Sequence, residues 1–264
     1  MKTGMYTLII VVLLGFCGQA NAEVLFDDFN GGAGASLDSS LWCSYNSNSP
    51  VFQDGSSWVH IDVASDWTGG GFYTNQNFQN TGRYHIEARV RFTVGTSNAD
   101  NIKMLIRSTD PCEPRENTYY QYFGSQILFN LHTTQSWKQG GLTSVWVRQK
   151  DENSWQWPIS TSNEILWQGT NMVTFSVDYN ADNGHVDFLV YDSTGSTVLT
   201  ECHTTFGSDL LSAIGPEFKL EFGMDGYNSN DSSWDFVSMS TVPEPATLSL
   251  LLLGGLALIR RRKK

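Results

Sequence analysis

An all-β chain of two antiparallel sheets packed as a sandwich is what the sequence predicts. Three observations lead there. Apolar and polar residues alternate with period two in one segment after another. Turn-forming triplets separate these segments. No interior segment carries a long helical period with caps. The composition agrees: among 264 residues only 16% are charged, 13% are aromatic and 24 are Gly, as in extracellular β-proteins.

The elements follow in order. Tyr84, Ile86, Ala88, Val90 and Phe92 share one face of a strand, with Arg83, His85, Glu87, Arg89 and Arg91 on the other. Val173, Phe175 and Val177 alternate with Thr174 and Ser176, and Val186, Phe188 and Val190 with Asp187, Leu189 and Tyr191. Asp182-Asn183-Gly184 between these two runs predicts a hairpin turn. Phe218, Leu220 and Phe222 alternate with Glu217, Lys219 and Glu221. Strands with one apolar face must bury it, and two sheets facing each other do so. The expected core includes Ile86, Phe175, Phe188, Phe218, Leu220, Phe222 and Phe236.

Both ends are addresses. Met1–Ala22 has a basic start at Lys2, an apolar run from Tyr6 to Phe16, and a small-x-small pattern at Ala20-Asn21-Ala22, which together predict a secretory leader. At the far end, Val242-Pro243-Glu244-Pro245-Ala246-Thr247 precedes an apolar run over 248–259 and the basic tail Arg260-Arg261-Arg262-Lys263-Lys264. The apolar helix would halt the chain in the inner membrane, and the tail would keep that end in the cytoplasm. The prolines hold the motif extended.

This 242–264 segment resembles the PEP-CTERM sorting signal of Gram-negative, exopolysaccharide-producing bacteria, with Pro243, Glu244 and Pro245 as its motif. The resemblance implies an exosortase partner, transient anchoring in the inner membrane, and export to the cell surface or matrix.

The domain between spans 23–241. Lys2 and the five basic residues at 260–264 are six of the 16 Lys and Arg, and Glu244 is one of the 27 Asp and Glu. The domain therefore holds ten basic against 26 acidic residues, a formal charge of −16. Such a surface repels nucleic acid. Without the leader the chain keeps Cys43, Cys112 and Cys202, enough for one disulfide and one thiol, and the pair is left open.

Four stretches resemble the concanavalin A-like lectin/glucanase family, a jelly roll. They are Phe26-Asp27-Asp28-Phe29-Asn30 with Leu37-Asp38-Ser39-Ser40-Leu41-Trp42, Gly82-Arg83-Tyr84 to Glu87-Ala88-Arg89-Val90, the Thr174–Tyr191 hairpin, and Trp234-Asp235-Phe236-Val237. Family members include lectins, hydrolases and lyases, so activity has to be argued from the site.

A retaining glucanase needs paired carboxylates on a Glu-x-Asp-x-(x)-Glu strand. The strand after Glu87-Ala88-Arg89 reads Asn101-Ile102-Lys103-Met104-Leu105-Ile106-Arg107 and has no acid. Glu217 and Glu221, and Glu113 and Glu116, read as solvated surface.

The lyase resemblance assigns Arg89, Gln126 and Tyr227, but Leu128 stands where an imidazole base belongs. His132 is a further candidate for that base. A non-catalytic partner of extracellular polysaccharide, or a structural matrix component, is the favoured reading. Five tryptophans between 137 and 167 supply candidate sugar platforms, with Trp155 and Trp157 on one strand face and Trp137 nearby. Neutral or calcium-bridged glycans suit the charge best. The resemblance points to one cofactor, a structural calcium ion at Asp235. Asp178–Gly184 also alternates oxygen side chains, but fits a hairpin better than a calcium loop.

Overall fold

The computed structural model describes residues 22–45, 51–62, 68–93, 101–109, 125–132, 142–148, 156–160, 169–226 and 231–242. These form two antiparallel sheets and one short helix, α1 (Ser208–Ile214). The first sheet runs in the order β14 (Val198–Thr205), β13 (His185–Tyr191), β12 (Thr170–Asn180), β7 (Arg83–Thr93), β16 (Asp231–Val242), β4 (Val59–Asp62), β3 (Val51–Gln53). β1 (Ala22–Asp27) also pairs with β16. The second runs β11 (Gln156–Ser160), β10 (Leu142–Arg148), β9 (Gln126–His132), β8 (Asn101–Ser108), β15 (Glu217–Gly226), β5 (Thr68–Thr74), β2 (Trp42–Tyr45), with β6 (Phe78–Gln79) on β15.

The predicted alternation is what packs the sheets. Ile86, Ala88 and Val90 of β7 and Val173, Phe175 and Val177 of β12 face inward and are fully buried. They meet Phe218, Leu220 and Phe222 of β15, also buried. Edge-on aromatic contacts bridge the layers. Trp234 of the first sheet lies 5.3 Å from Phe222 of the second, and Phe129 of the second 5.3 Å from Phe188 of the first. Each such pair adds about 0.5–1.5 kcal/mol beyond its burial.

The hairpin at Asp182-Asn183-Gly184 forms as predicted. Asn180 pairs with His185, and the four residues between them make the turn. Its oxygens are used locally: Asn180 Oδ1 accepts the Asp182 N–H, Asn183 Oδ1 the His185 N–H, and Asp182 Oδ1 the Gly82 N–H.

Phe236 departs from the predicted core. In the pairing with β7, Trp234 stands opposite Val90 and Phe236 opposite Arg89, so Asp235 is an extra residue. This β-bulge shifts the phase by one, which moves side chains to the other face. Trp234, Val237 and Met239 therefore point inward. Phe236 points outward, 5.3 Å beneath the Arg89 guanidinium. β1 begins at Ala22 and β16 ends at Val242. Cys43 and Cys202 lie in different sheets and are not bonded to each other. Cys112 is outside the described residues.

Candidate functional site

The outward face of the second sheet carries a polar floor. In β8, Ile102, Met104 and Ile106 join the core, which turns Lys103, Leu105 and Arg107 outward. In β9, Ile127, Phe129 and Leu131 face inward, leaving Gln126, Leu128 and Asn130 outside. In β15, Lys219, Glu221 and Gly223 face outward between Phe218, Leu220, Phe222 and Met224.

The register sets these residues in rows. Gln126, Arg107 and Lys219 align, then Leu128, Leu105, Glu221 and Tyr73, then Asn130, Lys103, Gly223, Gly71 and Tyr45. An outward sheet face is ordinarily wet. Here Gln126 is 0% exposed, Arg107 and Glu221 1%, Asn130 1% and Lys103 2%.

Withdrawing charge from water demands pairing. Arg107 Nε lies 3.1 Å from Glu221 Oε2, and the guanidinium sits 4.8 Å above the Tyr73 ring. Lys219 reaches the same ring at 5.3 Å and donates to the Asn75 carbonyl. Glycine is required beside them. A Cβ on Gly223 would stand 2.8 Å from Tyr45 Oη and 3.1 Å from Lys103 Cε, and one on Gly71 2.6 Å from Tyr45 Oη. The tyrosine thus lies directly against backbone. Gln126 differs from its neighbours: among the described residues neither its Oε1 nor its Nε2 has a hydrogen-bond partner.

The acids on this face are not poised as a hydrolytic pair. Glu221 is engaged by Arg107, which corrects its reading as solvated surface. Glu217, on the same strand face, accepts from Asn77 Nδ2 and Gln79 Nε2, each at 2.9 Å. Lys219 stands between the two. On β9 the residues at alternate outward positions are Gln126, Leu128 and Asn130, two amides and a leucine. An amide neither takes a proton as a general base nor forms the glycosyl ester of a retaining mechanism.

The other sequence candidates are dispersed. Arg89 is in the first sheet, where it binds Asp235 through Nε and Nη2 on that sheet's outward face. The packed core separates it from Gln126. Asp235 is thus held by a guanidinium, and among the described residues no group of three His, Cys, Asp or Glu could hold a metal ion. His132 closes β9 opposite Asn101 and Leu142. Trp157 is in β11, the edge strand of the second sheet. Tyr227, Trp137, Trp155, Pro243, Glu244 and Pro245 lie outside the described residues.

Sequence reasoning missed Lys103, Arg107, Asn130, Tyr45 and Tyr73 as parts of one surface. A signal existed in Ile102-Lys103-Met104-Leu105-Ile106-Arg107, where two cations flank Leu105 on the outward phase of an otherwise apolar strand. Pairing across five strands was needed to see what they face.

The PEP-CTERM protein-sorting motif matches residues 241–263. It implies export to the cell envelope of a Gram-negative bacterium and processing by an exosortase. No curated protein is significantly similar to the chain. Solved structures share its fold. An endo-1,3-β-glucanase of Streptomyces sioyaensis is 14% identical with a TM-score of 0.57, over 86% of this chain and 98% of that one. An immunostimulatory antigen and pseudo β-1,3-glucanase of Mycobacterium tuberculosis is 14% identical with a TM-score of 0.56, over 84% and 99%. A β-1,3-glucanase of Mycobacterium marinum is 14% identical with a TM-score of 0.55, over 84% and 100%. The chain is therefore a jelly roll of the concanavalin A-like, glucanase type in fold.

Proposed function

We propose that the exported domain is a non-catalytic carbohydrate-binding component of the cell surface or extracellular matrix. The observation that carries this reading is the outward floor of the second sheet: buried amides, half-buried tyrosines, a neutralised Arg107–Glu221 pair, and a Gln126 with no hydrogen-bond partner among the described residues. Sugar hydroxyls both donate and accept, which matches a carboxamide that has no partner among the described residues. The lack of a poised acid pair among the described residues favours binding over hydrolysis. The elimination reading loses Arg89, which sits on the opposite outer face from Gln126.

The test is retention on immobilised neutral glycans, β-1,3-glucan first, comparing wild type with Gln126→Leu. A lost hydrogen bond to a polar ligand is worth about 1.4 kcal/mol, or tenfold in affinity. The same change removes a buried amide with no partner among the described residues, so the variant should be more stable by about 1 kcal/mol. Weaker binding with raised stability is the expected signature. Wild type that is retained on no glycan would leave a structural matrix role.

A further inference from the structure

The last strand of the domain is braced by a cation of the chain itself. Asp235 is the extra residue of the β16 bulge and has no partner in β7. Its side chain is 14% exposed, and Oδ2 accepts from both Nε and Nη2 of Arg89. The same guanidinium lies 5.3 Å from the centre of the Phe236 ring. One side chain of β7 therefore holds both the bulge residue and the residue after it. Beyond them Val237 and Met239 return to the core.

The family resemblance implies a calcium ion at Asp235, and the residues around it do not fit one. Calcium takes about six to eight oxygens, which the protein must leave open toward it. Asp235 Oδ2 is committed to the guanidinium. β1 sets Asp27 opposite Val237, but Asp27 accepts the Phe29 N–H at 2.8 Å through Oδ1 and the Trp42 indole N–H at 2.6 Å through Oδ2. Glu87, two residues before Arg89 on the same strand face, has Oε1 3.4 Å from His85 Nε2. Arg91 is two residues after Arg89 on that face, opposite Ser233, with its guanidinium 4.6 Å over the Trp58 ring. A divalent cation approaching Asp235 meets repulsion from both guanidiniums.

We propose that Arg89 stands in for that ion: it is a built-in cation that closes the bulge, so the domain keeps its last strand without calcium. A guanidinium delivers its charge through directed N–H bonds, and no chelator can remove it. Polysaccharides that carry carboxylates take up calcium, and a surface protein that needed the ion would lose stability among them. This domain keeps β16 on β7 there. Arg89 is a positioning residue that acts through Asp235 and Phe236. The inference is independent of glycan binding.

The experiment follows thermal unfolding of the exported chain in EDTA and in excess calcium, for wild type and Asp235→Asn. The gap between the two midpoints should be no larger in wild type than in the variant. A larger gap in wild type would place a calcium ion on Asp235 and overturn the proposal. Two further variants test the cation. Arg89→Gln should lower the midpoint by about 2–6 °C in EDTA. Arg89→Lys keeps a charge and should lose less. Arg89→Gln as stable as wild type, or Arg89→Lys as unstable as Arg89→Gln, would show that Asp235 does not depend on this cation. Terbium emission gives a reading that does not depend on folding cooperativity, because Trp234 adjoins the site and would sensitise a bound ion. Emission no stronger from wild type than from Asp235→Asn supports the proposal, and stronger emission from wild type sinks it.

Discussion

Arg107 and Glu221 illustrate what a buried charge costs. With both 1% exposed, the pairing offsets part of the water each has lost. Glu221→Leu removes a buried carboxylate from beside the guanidinium and should cost about 3–5 kcal/mol in urea unfolding. Arg107→Met/Glu221→Leu should recover most of that loss, since a well-packed apolar pair has no charge to desolvate. A double variant as unstable as the single one would show that the pair contributes net stability.

His85 titrates differently because its side chain is about one-third exposed. Hydrogen bonds to Asp178, at 2.9 Å, and to Glu87 raise its pKa from 6.5 to about 9, against the opposing effect of burial. Both carboxylates are lowered in turn, each chiefly by the His85 hydrogen bond. The folded value exceeds the unfolded one, so the stability this group adds is complete below about pH 6.5. It is lost as pH rises through about 9. Solvent screening keeps it to about 1 kcal/mol at most. Imidazole NMR should find the high midpoint, and Asp178→Asn should bring it down toward 6.5.

Among the elements, the turns and the bulge decide where side chains go. Gly184 and Gly195 both have left-handed backbones, with φ of +73° and +70°. A Cβ on Gly184 would lie 2.4 Å from the Phe206 carbonyl oxygen, whereas one on Gly195 meets open space. Gly195→Ala should cost backbone strain alone, about 1 kcal/mol, and Gly184→Ala roughly 1–2 kcal/mol more. Denaturation midpoints check the difference, and equal losses would mean that the hairpin shifts to relieve the clash. The bulge at Asp235 has a larger reach. Deleting Asp235 would leave Trp234 inward, Phe236 outward and Val237 inward by simple alternation, so the buried set should be kept while Arg89 loses its carboxylate partner.

For the whole molecule, the expected chemistry is binding without turnover. Mixed with β-1,3-glucan or alginate, the domain should release no reducing ends and no absorbance from unsaturated uronate. A steady rise in that absorbance, abolished by Tyr227→Phe, would promote the lyase. Affinity should be weak, because a domain of formal charge −16 gains little from long-range attraction to bare uronates. Trp155→Ala/Trp157→Ala is the proposed test of the aromatic platforms: loss of retention with the fold intact would support them.

Fold class, strand phase and destination were legible in the residues themselves. Period-two alternation in β7, β12, β13 and β15 dictates which side is buried, because a strand has only two faces. The Pro243-Glu244-Pro245 segment, apolar run and basic tail are local and linear, so nothing beyond the sequence is needed to read them. The phase of Phe236 was not legible, since a bulge is visible only once β16 is laid against β7. Nor was the pairing of Arg107 with Glu221, more than a hundred residues apart along the chain and brought together by the register of β8 on β15. Long-range pairing also separated Arg89 from Gln126. Each is an ordinary outward strand residue, and only the packing of two sheets back to back determines that they face away from each other.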